Sequence, residues 1–218
     1  MINGNDPRWL QYLSKKMDWL AVPHISIILV TLQVLGFLLV LTNPIWMSTL
    51  ALFPERALHG EWWRFITFLS LPVSTSPIWF IFGAMFMYSI LNSIESEWGA
   101  FKTTFYVLVS VVLTILFSLV FDYPVIQMSD FSSTLFLAAA ALFPEFEIQL
   151  YMVFPVKMKW LGWLSLAFLG YRLMQGEWMD RFFLLTIYSN YLLFFGPTLL
   201  YRIREWKRRR DYRSNFRR

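Results

Sequence analysis

Cysteine is absent from the 218 residues, and histidine occurs only at His24 and His59. The first absence excludes disulfides, thiol nucleophiles and thiolate metal sites. The second leaves too few imidazoles for a histidine metal cluster, so neither a metal nor a cofactor is expected. Charge is also scarce, at 15% of residues against about 25% in ordinary soluble domains. The first twenty residues hold no apolar run ahead of a small-residue cleavage site, so no cleavable signal peptide is expected. Hydrophobic residues make up 57% of the chain. A soluble monomer so composed would expose apolar patches of a size that such proteins avoid. The composition therefore predicts an all-α integral membrane protein, of a length that suits one domain.

Crossing about 30 Å of hydrocarbon takes roughly 17–25 mostly apolar residues in a helix. Six stretches are candidates: Ile25 to Thr42, closed by Asn43-Pro44; Pro77 to Ile94, stopped by Glu95 and Glu97; Phe101 to Phe121; Phe131 to Phe146, short and rich in alanine; Trp160 to Met174; and Phe182 to Tyr201. Lysine and arginine then set the orientation. With six spans, Arg8, Lys15, Lys16, Lys102, Lys157, Lys159 and the tail from Arg202 to Arg218 share one side, against Arg56, Arg64, Arg172 and Arg181 on the other. Both termini are expected to be cytoplasmic; five or seven spans would split the N-terminal lysines from the basic tail. A bacterial plasma membrane is the preferred location, and the endoplasmic reticulum would show the same features.

Residues 1–24 read as an amphipathic N-terminal segment, 25–201 as the membrane domain and 202–218 as a basic tail. Asp6-Pro7 is a helix start, and Leu10, Leu13, Met17 and Leu20 recur at helical spacing. That stripe suits either the cytoplasmic leaflet or the protein's own surface. The polybasic tail is expected to attract anionic lipid; no nucleic-acid partner is expected. Trp46, Trp62, Trp63 and Trp178 fall near one predicted interface, and Trp98, Trp160, Trp163 and Trp206 near the other, where amphipathic rings settle.

Between the first two spans, Asn43 to Ser76 stays hydrophobic and aromatic, unlike a solvated loop. Irregular backbone at membrane depth must be buried in protein or line a wet cavity, so a structured loop partly embedded in one leaflet is predicted. Within it lies Gly60-Glu61-Trp62-Trp63-Arg64-Phe65-Ile66-Thr67-Phe68. About thirty residues later comes Ile94-Glu95-Ser96-Glu97-Trp98-Gly99, followed by Phe101 and Tyr106. In order and separation these segments resemble the rhomboid superfamily: the Trp-Arg motif of its first loop, and the end of its second helix with the entry into the third. The resemblance covers Ile25 to Tyr201. It implies a six-helix bundle with an embedded first loop, in which Trp63 and Arg64 shape the loop while Glu95, Trp98 and Gly99 mark the second-to-third helix junction.

The resemblance also shows where the family's chemistry is missing. Active rhomboids place a serine in a Gly-x-Ser-Gly setting on the fourth helix, a histidine base on the sixth, and a His-x-x-x-Asn pair on the second. Aligned on Pro144, the serine motif falls at Asp130-Phe131-Ser132-Ser133, with the hydroxyl of Ser132 kept and both glycines gone. The sixth-helix position falls at Ser189-Asn190, without histidine, and the second-helix pair near Trp79 and Gly83. A serine hydroxyl is a poor nucleophile until a neighbouring base takes its proton, and neither histidine nor any lysine lies on a span where it would reach Ser132. Asp130 is expected to cap the fourth helix, and the serines and Asn190 to bond nearby backbone or helices. Asp130, Ser132, Ser133 and Asn190 together form a possible polar client pocket.

The expectation is a rhomboid-like pseudoprotease, with no catalytic residue, that binds transmembrane segments of client proteins or locally perturbs the bilayer. Three other readings fit the residues. A lipid or ion transporter would use Glu95, Glu97, Glu145 and Glu147. An intramembrane hydrolase would use non-standard chemistry of Ser132 and Asp130. A structural subunit would serve a larger assembly.

Overall fold

The computed structural model describes residues 8–150 and 154–215, which are mostly helical. The helix start at Asp6-Pro7 lies outside the described residues. Helix α1 (Arg8–Lys16) ends in Lys15 and Lys16, the charge that a helix C-terminus favours. Its Leu10 is buried in the bundle core, so the helix packs on the protein, while Tyr12, and Trp19 of the 3-10 turn Asp18–Leu20, stay exposed.

Helix α2 (Ile25–Thr42) coincides with the first expected span and is apolar all round, as a membrane helix is. It ends where the Asn43 side chain accepts a hydrogen bond from the Ile45 amide (3.0 Å), ahead of Pro44. The next segment is built of short helices: α3 (Ile45–Leu50), α4 (Pro54–Leu58), α5 (Arg64–Thr67) and a 3-10 turn at Phe68–Ser70. Helix α6 (Pro77–Trp98) starts on a proline, the residue pre-set for a first helical position. It outruns the expected span, because Glu95 and Glu97 are tolerated within the helix. Gly99, at φ 80°, turns the chain into α7 (Ala100–Phe121), and at that φ a side chain would be strained.

Three helices, Asp18–Thr42 (the 3-10 turn with α2), Pro77–Trp98 and Ala100–Phe121, are long and apolar enough to cross a membrane by length and composition. Ile27, Leu35, Leu38, Ile81, Met85, Val112 and Leu116 are exposed on them. Apolar side chains on the outside of an apolar-cored bundle are the arrangement of a membrane protein.

Helix α8 (Ser129–Leu142) stops four residues short of the expected span, since a proline at 144 disfavours helical backbone at Phe143. Its 14 residues reach about 21 Å, at 1.5 Å per residue. The chain then forms an antiparallel hairpin, β1 (Glu147–Leu150) against β2 (Phe154–Lys157), with Ile148 opposite Val156 and Leu150 opposite Phe154. This departs from an all-helical expectation. Pro155 is accommodated because each strand of a two-stranded ribbon is an edge. Helix α9 (Met158–Gln175) leads into α10 (Trp178–Asn215), so the expected sixth span is the middle of one longer helix that continues into the basic tail.

Small polar residues of α7, Ser110, Thr114 and Ser118, are buried, letting neighbouring helices approach closely. Asn190 of α10 donates to the Tyr106 carbonyl (3.0 Å) and to Ser110 Oγ (2.6 Å), the interhelical bonding expected of it. Trp98, half-buried at the end of α6, packs against Tyr106, Phe194 and Phe195, with Lys102 over its ring. Trp62, Trp63, Trp160, Trp163 and Trp178 are exposed. The side chain of Trp206 lies outside the described residues.

Gln33 of α2 is 1% exposed, and neither atom of its amide has a partner among the described residues; the buried Ser26 hydroxyl, two helical turns away on the same face, has none there either. A buried amide without hydrogen bonds carries its full desolvation penalty. Gln33→Met, which keeps the shape and removes the polar atoms, is expected to raise stability by about 1–3 kcal/mol, read as a shifted denaturation midpoint in detergent. A lowered midpoint would mean that the amide is hydrogen-bonded in the membrane.

Candidate functional site

The first-loop segment is held by Arg64, 2% exposed although charged. Its Nη1 reaches the carbonyls of Ser48 (2.7 Å), Thr49 (2.8 Å) and Ala51 (2.6 Å), where α3 ends, and its other nitrogens pair with Glu61. The planar, always-charged guanidinium suits this work: it gathers carbonyls that no helix satisfies. Trp63, beside it, is exposed. A two-bond bridge, Leu52 N–H to Val125 O (3.0 Å) and back (2.9 Å), ties the segment to the turn after α7. At the other end of the bundle, Glu95 accepts the His24 amide (2.6 Å), and Thr104 bonds both N–H and carbonyl of Val22, fixing the entry to α2.

Between these fixed parts lies a cavity of about 310 Å³. Helix α6 supplies Gly83, Phe86, Met87 and Ile90; α8 supplies Ser132, Ser133, Leu135 and Phe136; Val73 and Ser165 of α9 complete the wall. Gly83 is small for a packing reason, since a Cβ there would stand 2.8 Å from Val73 Cγ2. Trp79, one turn earlier on α6, is exposed and does not line the cavity.

Ser132 presents a buried hydroxyl with no hydrogen-bond partner among the described residues. Ser133 donates to the Ser129 carbonyl (2.7 Å) and lies within hydrogen-bond reach of Tyr188. Neither histidine is engaged with these serines: His24 begins α2, and His59 Nδ1 bonds the Glu55 carbonyl (2.6 Å). Of the four residues expected to form a polar pocket, Ser132 and Ser133 line the cavity, and Asp130 and Asn190 do not. Asn190 gives its amide N–H groups to α7, while its Oδ1 is buried with no partner among the described residues. Asp130 does not cap α8; it sits in the first turn and pairs with Arg172, in the last turn of α9.

That ion pair belongs to a polar group at the N-terminal end of α8. Tyr123, in the turn before α8, donates to Asp180 Oδ1 (2.7 Å), at the start of α10. Burial, reinforced by that bond, pushes the Tyr123 phenol above its ordinary 10.0, so it remains a neutral donor at physiological pH. At the opposite end of α8, Glu145 takes the ammonium groups of Lys157 (2.8 Å) and Lys159 (2.6 Å), which bring its exposed carboxyl down to about 2. Glu147 opens β1. Among the described residues, no three His, Asp or Glu side chains gather as a metal site.

Arg172 and Ser165 escaped the sequence reading as site residues. Arg172 had a readable signal: a charge inside an apolar stretch is costly in lipid and implies a partner. Ser165 had none, being an ordinary small residue on an apolar helix. Comparison of the chain with protein-family models, with curated proteins and with solved structures gives no match.

Proposed function

We propose that the chain is a rhomboid-like pseudoprotease with six membrane spans and both termini cytoplasmic, and that it binds transmembrane segments of client proteins at the cavity between α6, α8 and α9. The observation that carries this reading is the Ser132 hydroxyl: it lines a mostly apolar cavity and, among the described residues, has no base to take its proton. An unactivated hydroxyl donates and accepts hydrogen bonds but does not attack a carbonyl. A helix entering from the bilayer would find apolar walls for its side chains and a hydroxyl for a freed backbone group. Helices α6 and α8 pack together, as do α8 and α9, with no comparable packing of α6 on α9 among the described residues. This leaves a lateral approach to the cavity over α8. Exposed Ile45, Trp62, Trp63 and Ile66 give the first-loop segment the surface of an element embedded sideways in one leaflet. A bacterial plasma membrane suits this arrangement, with the basic tail on anionic headgroups.

The short α8 favours local bilayer perturbation as a second reading. A helix reaching about 21 Å beside about 30 Å of hydrocarbon draws the leaflets together or tilts its neighbours.

A photo-crosslinking residue at Phe136, in the cavity wall, separates the two in native membranes, with one at the exposed Leu164 of α9 as reference. Client binding predicts protein adducts at Phe136 that are absent at Leu164. Identical protein patterns at both positions would sink it, and adducts to lipid alone at Phe136 would favour bilayer perturbation.

A further inference from the structure

Helix α1 and the 3-10 turn after it carry two unlike faces. Leu10 is buried in the bundle core, and Leu13, Met17 and Leu20 are half-buried, so the apolar stripe of this segment is turned to the protein. Tyr12, Lys15 and Lys16, which share a helix face by their spacing, are exposed, and the exposed Trp19 follows in the turn. The two rings are 66% and 78% exposed. Among the described residues neither lysine pairs with a carboxylate, and the one acidic residue between positions 8 and 24 is the exposed Asp18. The segment is tied down beyond Leu10 as well. The 3-10 turn packs on α7, and Thr104 Oγ1 accepts the Val22 N–H (3.2 Å) and donates to the Val22 carbonyl (3.1 Å). Glu95 accepts the His24 amide (2.6 Å). The segment therefore lies against the end of the bundle where α2 and α7 begin and α6 finishes. All three of these helices are long and apolar enough to cross a membrane, so the exposed face stands at the level where they leave the hydrocarbon. The exposed surface of α2 is already apolar at Ile27 and Ile28.

We propose that Tyr12, Lys15, Lys16 and Trp19 form a binding face for anionic lipid headgroups, which seats α1 between the protein and the leaflet. With the N-terminus cytoplasmic, as proposed above, that leaflet is the cytoplasmic one. Phenol and indole rings settle at headgroup depth. Lysine stems lie along apolar surface while their ammonium groups stay among the phosphates. An acidic protein partner would also take the two lysines, but it leaves two large rings at the edge of the hydrocarbon without a role. The face is distinct from the basic tail, because Val22 and His24 fix it to α7 and α6 rather than to α10.

The absence of native cysteine makes the test direct. A fluorophore is attached to the full chain in phosphatidylcholine nanodiscs at Val22→Cys, exposed beside the face. The discs carry a small fraction of either phosphatidylglycerol or phosphatidylcholine with a nitroxide at the top of the acyl chain, and quenching by the two is compared. Phosphatidylglycerol is expected to be enriched about fivefold or more around the label, which is what one lysine close to an anionic surface supplies. Lys15→Gln with Lys16→Gln is expected to bring the two lipids to equal quenching, and Lys15→Arg with Lys16→Arg to keep the preference. Trp19→Ala is expected to weaken quenching by both lipids alike, since the ring sets depth and not charge. A label at Ile126→Cys, exposed in the turn after α7 at the other end of the bundle, is the reference, and the lysine substitutions are expected to leave it unchanged. Equal quenching by the two lipids at Val22→Cys in the otherwise native chain would overturn the proposal and leave the face to an acidic protein. A preference that survives the loss of both lysines would overturn it as well, and would assign the enrichment to the basic tail. No client is present in this measurement, so its outcome is independent of the crosslinking at Phe136.

Discussion

Arg64→Ala is expected to destabilise the protein by about 3–5 kcal/mol, the cost of breaking a buried charge network by removing one partner. The substitution leaves the carbonyls of Ser48, Thr49 and Ala51 without their donor. It also leaves Glu61 charged without its cation. Thr67, which donates to the Leu50 carbonyl (3.2 Å), is then the remaining side-chain tie between α5 and the end of α3. Arg64→Lys should recover part of the loss, since an ammonium carries charge but lacks the planar fork that spans several carbonyls. Glu61→Gln should be milder than either, because its side chain is 37% exposed and the amide still accepts a hydrogen bond. Unfolding in detergent, followed by tryptophan emission from the exposed Trp62 and Trp63, reads all three. The order Ala, Lys, Gln of decreasing loss is the expected result; equal losses for Lys and Ala would show that the fork, not the charge, does the holding.

Gly36→Ala is expected to lose about 3 kcal/mol, the upper end of what overpacking costs. A Cβ at Gly36 would stand 1.8 Å from the Ser70 carbonyl oxygen and 2.7 Å from its carbon. The opposing atoms are backbone, so no rotamer change relieves the clash and the 3-10 turn must lift from α2. That turn is internally stiff, with the Ser70 hydroxyl donating to the Thr67 carbonyl (2.5 Å). Gly170→Ala is the matched control. With nothing near its Cβ, it should gain up to about 1 kcal/mol from helix propensity alone. If the two substitutions shift stability alike, the contact between α2 and the first-loop segment is looser than the geometry requires.

The well-read parts of the fold are those bounded by punctuation. The first span was legible to the residue because Asn43-Pro44 ends it, and the starts of α6 and α7 because Pro77 and Gly99 stand there. The fourth expected span runs past the end of α8 because apolar character continues through Phe143 and Phe146, while the proline between them ends the helix. Alternation in Ile148-Gln149-Leu150 marks a strand, but a proline in the returning strand masks the pair. The site was half legible. Ser132 and Ser133 share a wall because they are neighbours in sequence, and Asn190 was seen as an interhelical donor. The Asp130–Arg172 pair was not visible: 42 residues separate its members, and Arg172 near the end of an apolar stretch looks like any interfacial charge. The cavity is tertiary, assembled from Val73, α6, α8 and α9, and no local pattern announces it.

The bridge between Leu52 and Val125 sets an order of events during synthesis. Arg64 collects its carbonyls within the same stretch of chain, so that clamp closes soon after residue 64 is made. The bridge cannot form until α7 has been made and has delivered Val125. At roughly 5–20 residues per second, the stretch around Leu52 waits about 4–15 seconds with its amide and carbonyl unpaired. During that interval an apolar segment, already folded locally, has no fixed seat against the rest of the bundle.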